Sequence, residues 1–470
     1  MSARVAGHIT LESRPDSRIV ACFEQQEVDL GEFSAAAVDC AQRLRTGVPL
    51  GAFVSDGRST NKEIHLLVRR LTAHGLLEFR FGRSPNGADE LVIEPQVPEY
   101  WPRTPQLGDD DVLVLSRFAY MRRRGHELVL ESARAGALFK ICNPRIAAII
   151  GMLSRPQLLS ELCCQHGFPG LEMLALLVDC EILLKTDRNG GLRPAEGNDS
   201  LILWDFHDLL FHTRSTEGRH ANPLGGLYPY AGVIPPLPAV RPRWPGRRIN
   251  LQSFSAAQMQ PLSPTAKLLR DRHSARTFDD QQPIMLSELA HFLNSTARVR
   301  SKWTDRLGTG GPSVAYAARP YPSGGASYAL ELYLAIDRCQ GLAHGFYHYD
   351  AGGHALVAIG ARTQQLEALL ARAAFAMGAP APPQILITIA ARFGRTAWKY
   401  SSLAYALVLK DVGVLTQTFY LMAADMGLAG CAVGSSDINL FAKMTGIDFH
   451  VEGPVGQFAI GRALKGGTSV

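Results

Sequence analysis

Apolar residues recur every three or four positions between residues 33 and 47 and again between 59 and 75, where Ile64, Leu67, Val68 and Leu71 share one face. That period predicts two amphipathic helices, the second opened by Ser59 and stopped at Gly75. From Leu76 to Phe81 the period drops to two, the run breaks at Ser84-Pro85-Asn86-Gly87, and Leu91-Val92-Ile93 resumes it. Two helices followed by a hairpin is winged-helix order. Beyond Pro98, Pro102 and Pro105 and the acids Asp109 to Asp111, the pattern partly repeats. Strands are predicted at 112–115 and 127–131, and helices at 144–153, 156–164 and 171–180. Ile182-Leu183-Leu184-Lys185 then resembles Leu76-Leu77-Glu78-Phe79. Two related small domains are expected, over residues 1–97 and 106–197.

Residues 201 to 211 return to a helical pattern with an aromatic face, after which Pro235, Pro236, Pro238, Pro242 and Pro245 favour an extended backbone. Residues 198–261 therefore read as a linker, and 262–470 as a larger domain. Within it Leu330, Leu332, Leu334 and Ile336 alternate as in a strand, residues 345–350 and 355–357 flank a glycine turn, and 384–390 reads as a buried strand. Leu407, Val408, Val412, Leu415, Phe419, Met422 and Met426 predict a central helix from Tyr400 to Met426, apolar nearly all round and ended by Gly427. A short strand and turn at Gly430 to Gly434 and a last strand, Phe458 to Arg462, complete the pattern.

Bulk composition narrows the class. With 470 residues, 46% hydrophobic and 19% charged, the chain has material for more than one core. A net charge of +5 over this length is too mild to argue for nucleic acid, and Arg69-Arg70 reads as a solvated helix face. Eight cysteines without a C-x-x-C pair read as reduced thiols of a cytoplasmic protein. Cys163-Cys164-Gln165-His166 lacks the spaced ligands that zinc requires, so no metal is expected. The N-terminus has no apolar signal core and no stretch of about 18 apolar residues is free of charge, so neither secretion nor a membrane span is expected. His207 and His212, inside an apolar helix, read as hydrogen-bonded structure rather than catalysts.

The candidate chemistry gathers at Arg272-His273-Ser274-Ala275-Arg276-Thr277-Phe278. On an extended segment Arg272, Ser274 and Arg276 project to one side, and two guanidinium forks with a hydroxyl suit a phosphate. Taken alone, the heptapeptide reads better as a basic solvated turn. The glycines of Pro322-Ser323-Gly324-Gly325 let backbone amides approach a flat ring. Together with Tyr328 to Tyr333, Gly345-Phe346-Tyr347-His348-Tyr349-Asp350 and Trp398-Lys399-Tyr400, these motifs in this order resemble the FMN-dependent nitroreductase superfamily over residues 262 to 464. More narrowly, the chain resembles the azoline dehydrogenases of thiazole- and oxazole-forming peptide pathways.

That resemblance implies an α+β fold: a nitroreductase-like FMN-binding C-terminal domain preceded by two small winged-helix-like domains. It implies FMN held by Arg272, His273, Ser274 and Arg276, by Pro322, Ser323, Gly324 and Gly325, by Gly434 and Ser435, and by the terminal cations Arg462 and Lys465. Lys399 and Tyr400 become the catalytic pair, with Lys399 as base at the start of the apolar helix, where burial lowers a lysine pKa. A heterocyclised precursor peptide is the implied substrate, a cyclodehydratase a candidate partner, and a homodimer the implied assembly. Two departures from the family pattern, Ala406 after Tyr405 and the run Asp411-Val412-Gly413-Val414, bear on substrate contacts. The competing readings are an NAD(P)H-dependent reductase of nitro compounds or quinones and, in another class, a winged-helix regulator or peptide-binding scaffold.

Overall fold

The structure, a computed structural model, describes residues 1–23, 26–53, 59–82, 87–97, 100–165, 168–186, 196, 199–219, 228, 230–243, 245–251 and 262–464. Lys465, His166 and the turn residues 84–86 lie outside them.

The N-terminal helices form at Ala35–Arg43 and Ser59–Ala73, and the hairpin after them pairs Leu77–Phe81 with Leu91–Pro95. Four strands that the apolar spacing did not reveal come first: Ser2–Val5, Thr10–Ser13, Arg18–Phe23 and Gln26–Glu32. Leu91–Pro95 then pairs with Ala137–Ile141, so strands from residues 1–97 and 106–197 share one antiparallel sheet. Its order is Val48–Pro49, Ser2–Val5, Leu77–Phe81, Leu91–Pro95, Ala137–Ile141, Glu127–Ser132, Ala119–Arg124. One hydrophobic cluster, including Phe79, Ile93, Phe139, Ile150 and Met173, runs beneath it.

The helical run at 201–211 is two helices, Asp199–Ile202 and Phe206–Arg214, because Asp205 adopts an extended backbone as N-cap of the second. Their aromatic face finds its partner in the C-terminal half. Trp204 is 4% exposed, donates from its indole Nε1–H to His450 O at 2.8 Å, and packs on Phe393 with ring centres 4.6 Å apart. His212 is fully buried, stacks on Trp204 and places Nδ1 3.1 Å from the Tyr405 hydroxyl. Burial pushes its pKa down to about 3, so the folded ring is neutral. The unfolded ring takes up a proton below about pH 6.5 while the folded one does not. Stability is therefore complete above that pH and falls as pH drops toward 3, with a slope approaching about 1.4 kcal/mol per pH unit. Denaturation midpoints measured from pH 7 to pH 4 should show that slope, and His212→Phe should flatten it.

The C-terminal sheet has six antiparallel strands in the order Ala355–Ile359, Gly345–Asp350, Leu330–Ile336, Ile385–Arg392, Glu452–Arg462, Leu428–Val433. Helices Thr363–Met377 and Ile438–Thr445 cover one face, and Leu286–Thr296 and Ala404–Asp425 cover the other. Gly461 is required by close packing, because a Cβ there would overlap the ring of Phe278. Ala404–Asp425 is long and apolar enough to cross a membrane by length and composition, yet Leu415 and Phe419 bury against Phe292 and Phe458. It is not packed all round: Ala406, Lys410, Gly413, Val414 and Gln417 leave one stripe open. The strands Ser301–Arg306 and Ser313–Ala318 pair into a ribbon outside this sheet, with Trp303 stacked on Tyr316. An isolated pair of strands is marginal in water, so the ribbon depends on neighbours.

Candidate functional site

The candidate residues fall into two groups, one at the C-terminal end of the helix Ala404–Asp425 and one beside its N-terminal half. Residues 272–278 run extended along the helix C-terminal end, where the Ala275 N–H donates to Gly430 O at 2.9 Å. Ser274 Oγ lies 2.8 Å from the Tyr420 hydroxyl, which also accepts from the Ala432 N–H at 2.7 Å. Arg272 sits over the Tyr420 ring, 5.1 Å from its centre. Tyr420 thus fixes the segment against the strand Leu428–Val433, a role its place beside the apolar stripe does not announce. A cavity of about 480 Å³ opens here, lined by Lys267, Arg272, His273, Tyr420 and Gly430. His273 and Arg276 are exposed, as is Gly434, while Ser435 is half-buried. Asp271, also on the rim, is engaged by Arg270 at 2.9 Å.

Arg462 departs from expectation. Its guanidinium makes a two-pronged pair with Glu288, at 2.9 and 2.5 Å, and holds that carboxyl below the usual carboxylate range. The fork is committed to an internal carboxylate rather than open to a phosphate.

The second group lies about 14 Å away, the rise from Asp411 to Tyr420 along a helix. Ser323 Oγ donates to Asp411 Oδ2 at 2.6 Å and accepts from the Tyr328 N–H at 2.9 Å, while the Gly324 N–H donates to Asp411 Oδ1 at 3.1 Å. Asp411, 7% exposed, therefore shapes the Pro322–Gly325 turn. Gly325 has a positive φ of 59°, and a Cβ there would meet the Tyr400 hydroxyl and Lys399 Nζ. Lys399 Nζ donates to Gly325 O at 3.0 Å.

Lys399 and Tyr400 do not begin the long helix. They follow the short helix Phe393–Ala397, in the segment before Ala404, with Lys399 exposed, so its own chain does not supply the burial expected of it. The linker grips that loop. Asp205 accepts from the Ser402 N–H, Asp208 accepts from the Tyr405 N–H at 3.2 Å, and His207 Nε2 lies 3.3 Å from Ser402 O. Asp205, His207 and Asp208 stand close enough to hold a metal ion, but their carboxylates already serve backbone amides. Arg117, from the N-terminal half, donates to Trp204 O at 3.0 Å and to Leu201 O at 2.5 Å, steadying the linker from behind. No sequence spacing signals contacts between residues almost two hundred positions apart.

A second cavity, of about 490 Å³, lies beside Lys399 under the ribbon and carries Tyr316, Gly325, Arg392, Arg395 and Trp398 on its walls.

Residues 269–462 match the nitroreductase family, and residues 113–221 match the cyanobactin oxidase family ThcOx. A putative nitroreductase of Methanocaldococcus jannaschii is 32% identical over 168 residues, 36% of this chain and 77% of that protein. Among solved structures, a putative nitroreductase from Ralstonia eutropha aligns at 22% identity and TM-score 0.32, over 43% of this chain and 84% of its own. The Escherichia coli microcin synthetase McbBCD complex with truncated pro-MccB17 bound aligns at 19% identity and TM-score 0.36, over 57% and 97%. The chain belongs to the nitroreductase family and is an oxidoreductase.

Proposed function

We propose that the protein is an FMN-dependent azoline oxidase, which converts thiazolines or oxazolines of a ribosomal precursor peptide into thiazoles or oxazoles. The observation that carries this reading is the meeting of Lys399 and Tyr400 at the Gly325 turn, with Lys399 and Gly325 lining a cavity, in a chain that matches both the nitroreductase and the cyanobactin oxidase families. The residues fit the cofactor. Lys267, Arg272 and His273 line a cavity that suits a phosphate, Ser274 follows them in the chain, and the exposed Gly434 leaves room for a ring.

FMN, held by Arg272, Ser274 and the Pro322–Gly325 turn, would supply the acceptor for the hydride leaving the azoline, with dioxygen as the terminal oxidant. The protein's part is to orient the ring and take the proton from the neighbouring carbon. Lys399 Nζ holds that proton, with Gly325 O beside it and the Tyr400 hydroxyl close by to relay it. Cover for the exposed amine comes from bound peptide, flavin or a second copy of the chain, and excluding water favours the uncharged form of an amine, the form that takes up a proton.

The separation of the two groups along one helix supports a homodimer, in which Arg272 of one copy and the Gly325 turn of the other share a flavin. The open stripe at Ala406, Gly413 and Val414 gives the copies a surface to meet on. The N-terminal sheet, read as winged-helix-like, would dock the leader peptide or a cyclodehydratase.

The test is a visible spectrum of the purified protein followed by mass analysis of a heterocyclised peptide. A yellow protein that removes two hydrogens per azoline is the expected result. A protein whose flavin is bleached rapidly by NADPH and which leaves the azoline untouched would instead be a nitro or quinone reductase.

A further inference from the structure

The cavity beside Lys399 carries more positive charge than the proton step needs. Arg395 lies on the short helix Phe393–Ala397 and uses Nε and Nη2 on the carbonyls of Ser327 and Ala315, at 3.2 and 3.1 Å. Lys399 likewise bonds a carbonyl, that of Gly325. Among the described residues, neither cation has a carboxylate within ion-pair distance. Arg392, on the same wall, reaches Glu331 only at 3.9 Å. Among the described residues the one acid lining the cavity is Glu452, which the Tyr333 hydroxyl engages at 2.6 Å. Burial, and after it the neighbouring Arg392, pull the Arg395 guanidinium below its ordinary range. Positive charges gathered without a counter-ion in a partly enclosed space favour an anion.

We propose that this cavity is a carboxylate subsite, in which Arg395 fixes an acidic residue of the substrate peptide next to the ring held at Lys399. A planar guanidinium matches a carboxylate in a way a lysine does not. Trp398, 53% exposed, and Tyr316 supply flat walls for the peptide on either side. The flavin phosphate is placed by the reading above at Arg272, at the far end of the central helix, so it is not the anion in question.

The inference rests on the azoline-oxidase reading for the identity of the peptide, but its test does not need turnover. Two synthetic peptides that already carry a thiazole, one with Glu beside the ring and one with Gln, are titrated calorimetrically into the flavin-loaded full-length protein. The Glu peptide is expected to bind about tenfold more tightly or better. Arg395→Gln should remove that preference while changing the affinity for the Gln peptide less than about twofold, and Arg395→Lys should restore part of it. Equal affinities in the unaltered protein, no binding of either peptide, or equal losses for both peptides in Arg395→Gln would overturn the proposal. If Arg395→Gln fails to fold, the comparison of the two peptides on the unaltered protein decides alone. A Glu preference with no oxidation of the matching azoline peptide would sink the oxidase reading and leave the subsite standing; oxidation without preference would do the reverse.

Discussion

Lys399→Ala is expected to retain bound flavin and lose azole formation by about a hundredfold or more, the scale of a positioned general base. The side chain is exposed and bonds one carbonyl oxygen, so its removal takes away no buried contact. The effect should therefore appear in the rate and not in the melting temperature. Mass analysis of the peptide and a visible spectrum of the variant read the two quantities separately. Activity within a few-fold of the unaltered protein would remove the proton-accepting role from Lys399 and leave Tyr400 as the group to examine.

Trp204→Ala is expected to cost about 3–5 kcal/mol of stability, the range for deleting a fully packed aromatic side chain. The indole fills the space between His212, Phe393 and Tyr405, and its hydrogen bond to His450 O would be lost as well. The shift in denaturant midpoint measures the loss. Trp204→Phe should recover a good part of it by keeping the ring contacts, and a change of less than about 1 kcal/mol in the alanine variant would mean that the linker is not part of this core.

Elements in which side-chain period and burial coincide were legible from the sequence. Leu330–Ile336 alternates and is a strand of the six-stranded sheet, and the stripe through Leu415 and Phe419 marks the central helix. Elements stabilised by pairing alone were not. Ala119–Arg124 is an edge strand that reads Ala-Tyr-Met-Arg-Arg-Arg, and Ser301–Arg306 is exposed along its whole length, so neither carries an apolar period. The candidate site divides the same way. The motif order pointed to residues 272–276, 322–325 and 399–400, but the burial expected of Lys399 is missing because the helix starts five residues later, at Ala404. Arg462 looked like a free terminal cation because its partner, Glu288, lies 174 residues earlier. Asp411, which belongs to a departure from the family pattern, holds the Gly325 turn in shape.

The docking of the linker has a consequence for how such a chain can be divided. Leu201, Trp204 and Leu209 belong to the same apolar cluster as Phe393, Tyr405 and Phe419, and Phe118 and Ala133 from the N-terminal half join it. A catalytic half cut at the proline-rich stretch would leave with a hole where the Trp204 indole sat and with an unanchored loop beside Lys399. In recombining this enzyme with others of its kind, the piece that travels as a unit begins no later than Asp199, even though residues 234–245 look like the natural place to cut.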